Sequence, residues 1–246
     1  MTRDCASCGK KINDGSITCP GCGWQNSGKG PKPIVKAVAR PKIQVIVQCG
    51  MTIDRTGSSG AFRDGIPLTA AGILTPIAAK ALDVKVWLQT HGDLDENQQV
   101  ILLGDGISVE EAINEVKKVE YDGGGGPEET HLDAIETLLD TVPWANNPHT
   151  TRGAIVGMMT ADTKPARSGV SASELGERIK QQGVLFYLVC EPTPTLQELS
   201  DAADGMLFEI SNTPDASELQ KIAGQISASI VATVRSGSTV PIRTTP

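Results

Sequence analysis

The chain has 246 residues, 39% of them apolar and few aromatic, with a formal net charge of −7. That length suits one main domain plus an appendage, and no run of 18 apolar residues is present to span a membrane as a helix. Charge is uneven, +6 over residues 1–42 and −13 over the rest, so a basic head precedes an acidic body. Such a head suits an anionic partner, nucleic acid included, or is simply a solvated linker. The opening "MTRDCASCGK" lacks the apolar core of a secretory signal, which sets the expectation of a cytoplasmic protein.

Four of the six cysteines fall in "CASCGKKINDGSITCPGCG". Cys5 and Cys8, then Cys19 and Cys22, form two C-x-x-C pairs, each followed by glycine. Two intervening residues let one tight turn bring both sulfurs to one metal, and the glycine permits a left-handed backbone. Four thiolates make a closed, structural zinc site that can fold a piece too small for its own core. Residues 1–26 thus resemble a short zinc ribbon, with Trp24 either packing in its small core or exposed as a contact. The Gly-, Pro- and Lys-rich residues 27–41 read as a linker. Cys49 and Cys190 lie in apolar runs and read as buried thiols.

From residue 42 the pattern alternates. Strands are expected at 43–53, 84–90, 98–103, 153–160, 184–190 and 206–210, mostly as continuous apolar runs suited to burial on both faces. Between them come helix signals. Pro67 lies in the first turn of a run ending near Leu82. Ser108/Glu111, Ser171/Glu174 and Thr195/Glu198 read as capping boxes. Pro127 opens a helix that stops before Pro143, and Pro214 opens one to about Arg235. "HGDLDENQ" is too short for a crossover helix, so the third strand turns back as an antiparallel edge. The fold class is α/β: an open, doubly wound, mostly parallel sheet with one antiparallel edge strand, plus the ribbon. Ligands of such sheets bind beyond the carboxyl ends of the strands, where Asp54, "YDGGGGPEET" and Asp162 fall. His91, His131 and His149 read as surface groups. The tail 236–246 reads as flexible.

"IDRTGSS" resembles the D-x-[ST]-x-S loop of von Willebrand factor A domains, with Asp54, Thr56 and Ser58 in register. "GGGGPEET" resembles the second site loop of that family and "MMTADTKP" the third. The resemblance spans 42–235. It implies a metal-ion-dependent adhesion site built from Asp54, Thr56, Ser58, Thr130 and Asp162, with Asp122 or Glu128 as substitutes for Thr130. Many bacterial members carry an aspartate where the glycine run here meets Pro127. Hydroxyls and carboxylates are hard donors suited to Mg²⁺, Ca²⁺ or Mn²⁺. With two of five ligands charged, the ion can accept an acidic side chain from a partner protein. The family's intracellular bacterial members work beside ATPases, phosphatases or kinases in stress response and defence, tellurite resistance included. This implies an adaptor without catalytic residues.

"DRTGS" also resembles the nucleophile loop of haloacid-dehalogenase-like phosphotransferases. On that reading Asp54 attacks phosphate and Asp105 of "LLGDGIS" helps to hold Mg²⁺. The loop has Thr56 where simple phosphatases of that class carry a second aspartate. Gly104–Gly106 then reads as a turn.

Overall fold

The computed structural model describes residues 2–5, 7–23, 43–145, 147, 149–211 and 214–244. Trp24 and the linker 27–41 lie outside the described residues. The chain divides into two compact units, Met1–Pro41 and Lys42–Pro246.

In the small unit, strands β1 (Thr2–Asp4) and β2 (Lys11–Asn13) pair antiparallel. Among its described residues the buried apolar side chains are Cys5, Ile12 and Cys19. Burying three such side chains gains only a few kcal/mol, on the order of 2 kcal/mol each. That is far less than the cost of ordering some twenty residues, so a cross-link has to supply the rest.

Among the described residues, the large unit holds one six-stranded sheet and a two-stranded patch. The strands in chain order are β3 (Ile43–Asp54), β4 (Ala81–His91), β5 (Ile101–Ile107), β6 (Glu128–Glu129), β7 (Thr151–Met158), β8 (Asp162–Thr163), β9 (Leu185–Cys190) and β10 (Met206–Glu209). The main sheet runs β10-β9-β7-β3-β4-β5, parallel except for the expected antiparallel β4–β5 pair at one edge. Helices α1 (Gly65–Ala78), α2 (Val109–Val116) and α6 (Ala216–Ser236) cover one face. On the other lie α3 (His131–Thr141), α4 (Ala172–Gln181) and α5 (Pro194–Ala202). β9 alternates Leu185, Tyr187 and Val189 into the first core with Phe186, Leu188 and Cys190 into the second. Both faces of β9 are dry, and its sequence is accordingly a continuous apolar run. Cys49 and Cys190 are buried free thiols, and burial pushes both up to about 12.

β3 is central. Its odd residues Val45 to Ile53 enter the first core. Its even residues face α3, where bare Gly50 lets Leu138 and Trp144 approach and where Thr52 and Asp54 follow by parity. Two of the expected capping boxes form in full, at Ser108/Glu111 and Ser171/Glu174, and Gly183 closes α4 at φ +66°.

Several expectations about the elements need correction. The cap of α5 is Thr193, whose hydroxyl accepts from Leu196 N–H, and not Thr195: Pro194, with its fixed φ and no N–H, takes the first helical position. Leu82 belongs to β4, because α1 ends at Ala78. α3 starts at His131, not Pro127, because Glu128–Glu129 pair in parallel with Asp162–Thr163 and hold that backbone extended. Gly104-Asp105-Gly106 is strand rather than turn: β5 runs through it with irregular register, Gly106 at φ +64° lies beneath Trp87, and Asp105 accepts from Trp87 Nε1 at 2.7 Å.

Beyond α6, the tail returns to the helix through Ile242 N–H, which donates to Ser229 Oγ at 3.0 Å.

Candidate metal centres

The four N-terminal sulfurs all lie within 4.8 Å of one another. Cys5 and Cys22 Sγ are 3.8 Å apart, and Cys8 and Cys19 Sγ 3.7 Å. A tetrahedron with Zn–S bonds of about 2.3 Å has edges of about 3.8 Å, so this spacing fits zinc and is far from an S–S bond. Gly9 and Gly23 take φ of +71° and +70°, and their N–H groups close turns onto Cys5 and Cys19 carbonyls at 2.9 Å. These are the glycines that follow the second cysteine of each pair.

The second candidate lies at the carboxyl ends of β3 and β7, where the sheet's winding switches direction. Asp54 ends β3, 1% exposed. Its Oδ1 accepts from Thr56 N–H at 2.9 Å and from Thr56 Oγ1 at 2.7 Å. Its Oδ2 accepts from Thr160 Oγ1 at 2.9 Å. Ser58 Oγ bridges Thr56 and Thr160 hydroxyls at 3.0 and 3.2 Å, and Ser59 Oγ meets Thr160 at 2.8 Å. Burial works against the Asp54 charge, yet the carboxyl is held below its ordinary range, with the two Thr56 donors favouring the ionised form. Thus Asp54, Thr56 and Ser58 come together as the sequence implies. Thr160 joins them from the third loop.

The other two expected ligands have different partners. Thr130 Oγ1 donates to the Gly92 carbonyl at 2.7 Å and accepts from Leu94 N–H at 3.4 Å. Asp162 Oδ1 accepts from Thr193 Oγ1 at 2.6 Å and from Thr163 N–H at 2.8 Å. Of the substitutes, Asp122 is exposed and paired with Arg55 at 3.1 Å, and Glu128 is exposed. Glu129, which the sequence reading passed over, is 2% exposed, with Oε2 lacking a hydrogen-bond partner among the described residues. Burial, then the charges of Asp54 and Asp93, push its carboxyl up to about 7.

The loops are stitched together by backbone. Asp122 N–H donates to Arg55 O and Gly57 N–H to Gly123 O, both at 3.0 Å. Gly123 and Gly124 sit at φ +75° and +84°, and a Cβ on Gly123 would collide with Gln98. The glycine run therefore lets the second loop fold flat against its neighbours. Lys164 ties the third loop to the β4–β5 connection through Asp93, at 2.8 and 2.7 Å, and Asp95, at 3.0 Å. These partners raise the Lys164 pKa above its ordinary value.

Beneath the site, His91 and His131 are fully buried, correcting the expectation of surface groups, while His149 is exposed. Thr52 Oγ1 meets His91 Nδ1 at 3.0 Å, His91 Nε2 meets His131 Nδ1 at 2.8 Å, and His131 Nε2 meets the Ala161 carbonyl at 3.2 Å. A carbonyl only accepts, so His131 carries its proton on Nε2, His91 donates from Nε2, and Thr52 donates to His91. Both rings are neutral in this chain, and burial lowers both, His91 to about 3.

Asp105 is not part of this group. Leu88 faces both Met51 and Gly104, which places Asp105 some four rungs, about 13 Å, below the Asp54 end of the sheet and two strands away. The pair required by the phosphoaspartyl reading is not assembled.

No protein-family model matches the sequence, and no curated protein matches it. A solved structure, the SpRpn10 VWA domain, superposes with a TM-score of 0.57 at 16% identity, covering 72% of this chain and 94% of that one. No helix among the described residues is long and apolar enough to cross a membrane. With its six-stranded sheet, one antiparallel edge and helices on both faces, the chain has the fold of a von Willebrand factor A domain.

Proposed function

We propose that the chain is an interaction module whose large unit engages another protein through a divalent cation, Mg²⁺, Ca²⁺ or Mn²⁺, while the small unit holds structural zinc. The observation that carries this reading is the cluster of hard oxygens from two loops, Asp54, Thr56, Ser58 and Thr160, at the switch point of the sheet. Thr130 and Asp162 are the neighbouring candidates implied by resemblance. When bound, the cation supplies a position that accepts an acidic side chain of the partner. Thr56 and Thr160 orient the Asp54 carboxylate, and Ser58, exposed at the rim, marks the approach. Resemblance to intracellular bacterial adaptors extends the reading to a cytoplasmic, non-catalytic role in a stress-response or defence complex, tellurite resistance included, beside an ATPase, phosphatase or kinase.

The test is a Mn²⁺ titration of zinc-replete protein followed by electron paramagnetic resonance. Wild type is expected to bind one ion, Asp54→Ala to lose it, and Asp105→Ala to keep it. Asp162→Ala asks whether that residue joins the set. A wild type that binds no Mn²⁺ overturns the reading. If binding stands, partner capture with and without Mg²⁺ follows.

A further inference from the structure

We infer that Glu129, rather than Thr130, is the group the second loop gives to the cation, making the centre a two-carboxylate site that keeps its ion without a partner. This rests on the reading of the Asp54 cluster as a divalent-metal centre. The Thr130 hydroxyl already uses its proton on the Gly92 carbonyl and accepts from Leu94 N–H. The Glu129 carboxyl is in the opposite condition: 2% exposed, with Oε2 buried and without a hydrogen-bond partner among the described residues. It lies beside the cluster. A Cβ placed on Gly124 would stand 3.0 Å from Glu129 Oε1 and 3.2 Å from Thr56 Cβ, so the two side chains flank one bare backbone position. Thr56 in turn is bonded directly to Asp54.

The hydrogen-bond donors of the nearby cations go to other carboxylates. An ammonium has three donors, and Lys164 makes three bonds, two to Asp93 and one to Asp95. Arg55 is on Asp122, and Arg167 is on Asp95. A carboxyl taken from water without a donor is costly to fold around. The cost is offset where a cation arrives between it and Asp54. Two carboxylates then neutralise the divalent charge, so retention of the ion does not depend on an incoming acid.

The experiment uses full-length, zinc-replete protein and two readouts: Mn²⁺ affinity by electron paramagnetic resonance, and thermal unfolding with and without Mn²⁺. The variants are Glu129→Gln, Thr130→Val and Asp54→Ala. Glu129→Gln is expected to weaken Mn²⁺ at least about tenfold while its metal-free unfolding midpoint equals or exceeds wild type, because a neutral amide is cheaper to bury. Thr130→Val is expected to lower the metal-free midpoint and to keep the wild-type affinity. If Glu129→Gln binds as wild type does, or if Thr130→Val loses the ion while Glu129→Gln retains it, the inference fails and the metal reading stands. A fall in the metal-free midpoint of Glu129→Gln marks a structural carboxyl and also overturns it. If wild type binds no Mn²⁺, or Asp54→Ala binds it undiminished, the underlying reading itself is lost.

Discussion

Asp54 stays ionised in a buried position because three donors converge on its two oxygens, and one of them comes from a distant loop. Thr160 donates to Oδ2 and also meets Ser58 and Ser59, so it joins the first and third loops. Replacing Thr160 by Val keeps the shape and removes every one of these bonds. The expected cost is about 2 kcal/mol, since the lost bond is to a charged, buried acceptor. Urea unfolding should show this as a lowered midpoint at constant slope, with weakened Mn²⁺ binding alongside. Ser58→Ala, at the exposed rim, should cost well under 1 kcal/mol. A Thr160→Val protein as stable as wild type would mean the loops are joined elsewhere. At this scale the sequence was only half legible. Asp54, Thr56 and Ser58 are near neighbours, and their grouping follows from alternation along one loop. Glu128 and Glu129 are indistinguishable as letters. Which one is buried depends on pairing with Asp162–Thr163, some 34 residues away.

Between β4 and α3, the histidine pair converts packing into pH dependence. Burial holds both rings below the ordinary histidine range when folded, His91 at about 3, whereas a histidine in the unfolded chain titrates near 6.5. Below that pH the unfolded state binds protons that the native state does not, so stability falls as pH falls, by up to about 1.4 kcal/mol per unit per histidine. Glu129 acts in the opposite sense. Its folded pKa of about 7 lies above an unfolded value near 4.5, so the native state takes up the proton first and gains stability as pH falls through that window. Between pH 6.5 and 5, metal-free wild type should therefore lose stability through the histidines, with Glu129 offsetting part of the loss. Glu129→Gln should steepen the loss, and His91→Gln should flatten it. Urea midpoints at several pH values check this through their slopes, which are independent of each variant's absolute stability. Identical slopes in all three proteins would place the charges elsewhere. Element boundaries teach a related lesson. The boxes at Ser108 and Ser171 are written in four consecutive residues and appear as read. The start of α3 and the run of β5 through Gly104–Gly106 are decided by a paired strand and by Trp87, which no local pattern contains. Burial of His91 and His131 is likewise a property of two elements meeting.

At the scale of the molecule the two units are stabilised by different physics. Among the described residues, the large unit buries two apolar cores built from residues between Val45 and Val234. Among the described residues of the small one, the buried apolar side chains are Cys5, Ile12 and Cys19, and four sulfurs, two of them from these cysteines, converge. Its fold should therefore be conditional on metal, and the fold of the large unit should not be. A strong thiol-competitive chelator, or Cys19→Ser, should release one zinc per chain and abolish the amide protection of residues 2–23. The cooperative unfolding of the large unit should keep its midpoint, and a chain beginning at Lys42 should unfold at that same midpoint. Hydrogen exchange read by peptide, together with a zinc assay on the same samples, separates the two responses. Loss of the large unit's midpoint on zinc removal would mean that the basic head contributes to the α/β core. The Mn²⁺ experiments would then require zinc for a structural reason as well as for cleanliness. Retention of the midpoint, with protection lost only in the ribbon, would show that the head is a separately switchable attachment and that its partner can be sought with the ribbon alone.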